Sequence, residues 1–95
     1  ENLIEKALVA AVKRHGGLCW KLVSPGTRGV PDRIVMTSDG RTIYVETKAP
    51  MREMSEIQKH RYRQLQDRKH QVAKLDSLES VGQFVRAVFG GCDAK

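Results

Sequence analysis

Two runs rich in β-branched and apolar residues, Asp32–Thr37 (DRIVMT) and Thr42–Thr47 (TIYVET), are separated only by Ser38-Asp39-Gly40-Arg41. Side chains of this kind suit a pleated surface, and an Asp-Gly pair supplies the backbone freedom of a tight turn. The middle of the chain is therefore expected to be an antiparallel hairpin, which the rest of the sequence must cover because a lone hairpin is marginal in water. At the open end of that hairpin Asp32 begins one strand and Glu46 lies near the end of the other, so pairing makes them neighbours. Counted outward from residues 39 and 40, the two positions differ by one residue, an offset that a bulge or a wider turn absorbs.

The flanking sequence supplies the cover. From Asn2 to His15, Ile4, Leu8, Ala11 and Val12 keep helical spacing, widened by Leu3, Ala7 and Ala10, and Gly16-Gly17 stops the helix. Leu18–Val23 is a short strand. Residues 24–31, with two Pro and two Gly, form a loop. A second loop runs from Lys48 to Met54. Ser55-Glu56-Ile57-Gln58 is a capping box that opens a helix to about Lys69, with Ile57, Leu65 and Tyr62 facing inward. Gln71–Leu75 is a fourth strand. Ser77 caps a last helix carrying Leu78, Val81, Phe84, Val85 and Val88, which Gly90-Gly91 ends. The order αβββαβα describes an α/β fold, a small mixed sheet flanked by helices. With 95 residues, positions 1–95 are expected to be a single domain.

Seventeen Lys/Arg against eleven Asp/Glu give a net charge of +6, and the isoelectric point is about 9.7. So basic a small chain is expected to meet a polyanion, most often nucleic acid. The 40% apolar content excludes a disordered chain. With no apolar run near 18 residues and no leader pattern, no membrane span or secretory signal is expected. Cys19 sits in an apolar stretch and Cys92 in the tail, neither at metal-ligand spacing from a second Cys or His, which favours a reducing cytoplasm. The five aromatics do not cluster, so stacking on single strands is disfavoured. His15, His60 and His70 show no ligand spacing and read as surface or phosphate-adjacent residues, His60 being the one best placed to approach DNA.

Chemistry concentrates at the open end of the hairpin. Two carboxylates brought together repel unless something positive lies between them. A hard divalent cation with oxygen ligands is the natural solution. Glu46 and Lys48 are two apart, so on a strand both point to one face. Asp32, Glu46 and Lys48 with a metal form a site for phosphodiester hydrolysis, in which the lysine orients water or offsets charge on the transition state. Glu5, bordering the apolar stripe of the first helix, is the candidate third carboxylate, with Glu1 a weaker rival. Gln58, beyond its capping role, is placed to position a phosphate or the attacking water.

At these residues the sequence resembles the virus-type replication-repair nuclease (VRR-NUC) domain, a branch of the PD-(D/E)xK nucleases. The stretches that carry the resemblance are Lys21–Val35, Val45–Pro50 and Ser55–Gln58. The resemblance implies the restriction-endonuclease-like αβββαβα core and DNA cleavage with Mg²⁺ or Mn²⁺. It implies Asp32, Glu46 and the backbone carbonyl of Thr47 as metal ligands, Lys48 as the catalytic lysine, Glu5 as the acidic residue of the first helix, and Gln58 as the glutamine of the second. Lys21 and Arg28 match basic positions leading to the site, and Arg33, Arg52, Lys59 and Arg63 are further candidate phosphate contacts. One departure is that the residue between Glu46 and Lys48, usually aliphatic, is Thr47. Members consisting of the domain alone resemble Holliday-junction resolvases and form homodimers in phages and bacteria. A homodimer cutting four-way junctions, in a bacterial or phage-infected cytoplasm, is therefore expected. The alternatives are a DNA-binding module without catalysis, a flap- or fork-directed repair nuclease, and a sequence-reading enzyme, for which the chain has little room.

Overall fold

The computed structural model describes residues 3–90, so the readings that fall on Glu1 and Cys92 lie outside the described residues. Within them the elements are α1 (Leu3–Arg14), β1 (Leu18–Lys21), β2 (Arg33–Met36), β3 (Thr42–Thr47), α2 (Glu56–Asp67), β4 (Gln71–Leu75) and α3 (Leu78–Phe89). The order is the expected αβββαβα. The four strands form one mixed sheet in the order β1-β2-β3-β4, antiparallel through β3 and parallel between β3 and β4. The parallel step needs a crossover, and α2 provides it. No helix among the described residues is long and apolar enough to cross a membrane.

The hairpin resolves the one-residue offset through a wider turn. The Thr37 N–H donates to the Arg41 carbonyl at 2.9 Å, and the Gly40 N–H to the Thr37 carbonyl at 3.2 Å. Residues 38–40 thus form a three-residue loop. Gly40 closes it at φ +93°, where a side chain is strained. Pairing then runs Met36 with Thr42 through Arg33 with Val45. One step further, Asp32 stands opposite Glu46.

Alternation along β3 divides the molecule into two layers. Ile43 and Val45 face the main core, where they meet Ile4, Leu8 and Val12 of α1, Val35 of β2, Leu75 of β4, and Val81, Phe84 and Val85 of α3. Tyr44 and Glu46 face α2. That helix buries none of its residues fully, because Ile57, Tyr62 and Leu65 are its only large apolar side chains. The layer under α2 is accordingly thin.

β1 ends at Lys21, two residues before the sequence pattern does. One further bond, from the Leu22 N–H to the Asp32 carbonyl at 2.9 Å, ties the following loop to the start of β2. Gly29, at φ +83°, brings that loop against α2: a Cβ there would lie 2.8 Å from the Ile57 side chain and 3.0 Å from its backbone. The loop delivering Asp32 and the helix delivering Gln58 are fixed to each other at this point.

Candidate active site

Glu46 is the centre of the site. Only 5% of it is exposed, yet β3 aims it at the α2 side of the sheet, away from the apolar core. Its Oε2 accepts from Gln58 Nε2 at 2.8 Å. The same Oε2 lies 3.8 Å from the Lys48 ammonium. Burial, and then the charge of Asp32 beside it, push its pKa up to about 7, while Lys48 and the Asp32 backbone pull it back. A carboxylate so placed changes charge near neutrality.

Gln58 performs two tasks at once. Ser55 caps α2, its Oγ accepting from the Gln58 N–H at 3.3 Å, and the Ser55 N–H donates to Gln58 Oε1 at 2.8 Å. That reciprocal capping box uses the amide oxygen. It leaves the amide nitrogen to face Glu46, so the same geometry that starts the helix fixes which end of the glutamine reaches the site.

Asp32 is gripped by Thr47. One carboxylate oxygen accepts from the Thr47 N–H at 2.9 Å and the other from its hydroxyl at 2.6 Å. This role of the Thr47 side chain escaped the sequence reading, which gave the residue only a backbone part. The available signal was the hydroxyl-bearing residue between Glu46 and Lys48, where the pattern the sequence resembles usually has an aliphatic one.

The structure brings together Asp32, Glu46, Thr47, Lys48 and Gln58, and pairs Glu5 with Arg33. Glu5 is buried on α1, and its Oε2 accepts from Arg33 Nε at 2.7 Å. β2 directs Arg33 to the same side of the sheet as Val35 and Val45, where α1 packs. A carboxylate buried at this depth needs a cation, and Arg33 supplies it. Arg33 is therefore part of an internal ion pair, its side chain only 14% exposed, not a surface cation. Lys21, Arg28, Arg52 and Arg63 are exposed and Lys59 partly so. Lys59 is shared between Glu53 and Glu56 at 3.9 and 3.6 Å. Arg61 Nε donates to the Arg28 carbonyl at 2.8 Å, a second tie between loop and helix. Of the histidines, His15 stacks on Phe89, His70 meets the Tyr44 ring edge-on, and His60 is exposed.

The oxygens of Asp32 and Glu46 suit a hard divalent ion. Among the described residues no group of three or more His, Cys, Asp and Glu is arranged for a metal. Two carboxylates are nonetheless enough for Mg²⁺, which keeps several of its waters and commonly takes further oxygens from a substrate phosphate.

No family model matches the chain. Its fold is that of a solved structure described as a VRR_NUC domain, with a TM-score of 0.82 at 24% identity, over 86% of this chain and 89% of that one. In sequence it is 47% identical over 79 residues to "Putative nuclease p44" of Acyrthosiphon pisum secondary endosymbiont phage 1, covering 83% of this chain and 85% of the relative. The chain belongs to the family of that phage protein, and it has the VRR_NUC fold. On this fold Pro31-Asp32 and Glu46-Thr47-Lys48 meet at the open end of the β2–β3 hairpin, with Gln58 closing over Glu46 from the crossover helix.

Proposed function

We propose that the chain is a divalent-metal-dependent DNA endonuclease, selective for branched structure, which cuts four-way junctions as a homodimer. The observation that carries this reading is Glu46, buried and facing Asp32, with Lys48 and Gln58 both directed at one of its oxygens. The name of the phage relative supports the reaction class. Asp32, Glu46 and the Thr47 carbonyl are the groups that would hold Mg²⁺ or Mn²⁺. A bound ion of this kind lowers the pKa of its water and polarises the phosphoryl oxygens. Lys48, at the strand end, places a positive charge where the phosphate gains negative charge in the transition state. Gln58 holds Glu46 in orientation from above.

The substrate and the assembly rest on shape and symmetry. Exposed arginines and lysines favour backbone contacts over base reading. Two symmetric cuts in a four-way junction call for two sites related by a two-fold axis. The edge strand β1 exposes Leu18 and Trp20 by half or more, an apolar surface that supports burial against a second copy.

Purified protein incubated with Mn²⁺ and a panel of four-way, fork, flap and linear DNA tests the reading, with the mass in solution measured in parallel. The expected result is cleavage of the four-way junction, lost in EDTA and in Lys48→Ala, by a particle twice the 10.7 kDa chain mass. Retarded but uncut DNA would identify a binding module instead.

A further inference from the structure

We infer that the side chain of Thr47 is a positioning residue, which fixes the Asp32 carboxylate so that its remaining lone pairs face a divalent ion shared with Glu46. This rests on the metal-dependent reading of the site. An ionised carboxylate offers about four lone-pair directions. Thr47 occupies one on each oxygen, through its N–H at 2.9 Å and its hydroxyl at 2.6 Å. Two such bonds, from one residue to both oxygens, hold the group in a single orientation.

The backbone at Asp32 does not by itself orient the side chain. The residue follows Pro31 at the junction of loop and strand, outside the paired residues of β2. Its carbonyl is tied to the Leu22 N–H, which anchors the backbone and leaves the side chain free to turn. Opposite it stands buried Glu46, which, when ionised, repels the Asp32 carboxylate. The Thr47 donors counter that repulsion. Since Thr47 lies between Glu46 and Lys48, the strand that presents those two side chains also sets the angle of the third.

Packing alone does not call for the hydroxyl. Thr47 is 7% exposed and paired in register with Leu75, next to the apolar core. An aliphatic β-branched residue would fill the same space. What threonine adds is a directed bond to Asp32. Groups that orient a metal ligand in this way commonly alter metal affinity or activity about 10- to 100-fold when removed.

The test is calorimetric titration of Mn²⁺ without DNA, with thermal melts alongside, on the wild type, Thr47→Val, Thr47→Ser, and Thr47→Val combined with Asp32→Asn. Valine keeps the shape and the N–H bond and removes only the hydroxyl. Mn²⁺ binding is expected to weaken about 10-fold or more in Thr47→Val at nearly unchanged melting temperature. Thr47→Ser should bind as the wild type does. In the Asp32→Asn background valine should have no further effect, because the hydroxyl acts through Asp32. If valine unfolds the chain, Thr47→Ala carries the same prediction. Equal Mn²⁺ affinity in the wild type and Thr47→Val overturns the inference and leaves the endonuclease reading standing. A wild type that binds no Mn²⁺ overturns both.

Discussion

Glu46 occupies a position where ionisation works against the fold. Its pKa lies near 7 in the folded chain, against 4.5 for the ordinary group. Below 4.5 both folded and unfolded chains carry the proton, and the group costs nothing. Between 4.5 and 7 the unfolded chain releases its proton first, so stability falls as pH rises. Above 7 the full penalty applies, at most about 3 kcal/mol from the size of the shift. Glu46→Gln is therefore expected to melt higher than the wild type at pH 8 and like it near pH 4, while losing cleavage altogether. Mn²⁺ should raise the wild-type melting temperature at pH 8 and leave the variant unmoved, because a ligand that binds only the folded chain stabilises it. Melting curves from pH 4 to 8 check this. A difference between the two proteins that stays flat across that range would refute it. Such a residue makes sense only where function demands a carboxylate, as at other sites that trade stability for activity.

The first turn of α2 is both a structural start and a wall of the site, and two substitutions at Gln58 separate these uses. Gln58→Ala removes the capping acceptor and the donor to Glu46 together. It should cost about 1 kcal/mol, a fall of about 4–8 °C in melting temperature for a chain of this size, and lower cleavage as well. Gln58→Glu keeps an oxygen for the Ser55 N–H but sets a carboxylate against Glu46, so the helix should survive while cleavage is lost. Circular dichroism beside a cleavage assay distinguishes the two; a Gln58→Glu variant that cuts normally would deny Gln58 any part in the site. All seven elements were legible in the sequence, because caps, turn residues and hydrophobic periods are local signals. The facing of Asp32 and Glu46 was legible too, since a hairpin ties register to turn length, and only the three-residue loop ending at Gly40 was left open. Contacts between distant segments were not legible. Glu5 and Arg33 are 28 residues apart, and nothing local announces that α1 packs on the face of β2 that carries Arg33. The Thr47 grip was missed for a related reason. Alternation places that side chain on the core side of β3, and only the exact approach of Asp32 at the strand mouth turns it into a donor.

For the molecule as a whole, the +6 charge is the term that long-range attraction to DNA responds to. Neutralising phosphates releases counterions, so the logarithm of affinity should fall linearly with the logarithm of salt concentration. The structure sorts the basic residues for this purpose. Arg52 and Arg63 are exposed, one on the loop that leaves the site and the other on α2, and each is available to a phosphate. Arg33 is not, because its guanidinium is buried against Glu5. Arg52→Gln and Arg63→Gln should each make the salt slope shallower by about one and leave the melting temperature in place. Arg33→Gln should do the reverse, keeping the slope and destabilising the fold by about 3–5 kcal/mol through the buried carboxylate it strands. Binding isotherms on one four-way junction at several salt concentrations, with melts of the same proteins, decide the matter. A shallower slope for Arg33→Gln in a fully folded protein would mean that the Glu5–Arg33 pair opens to admit DNA.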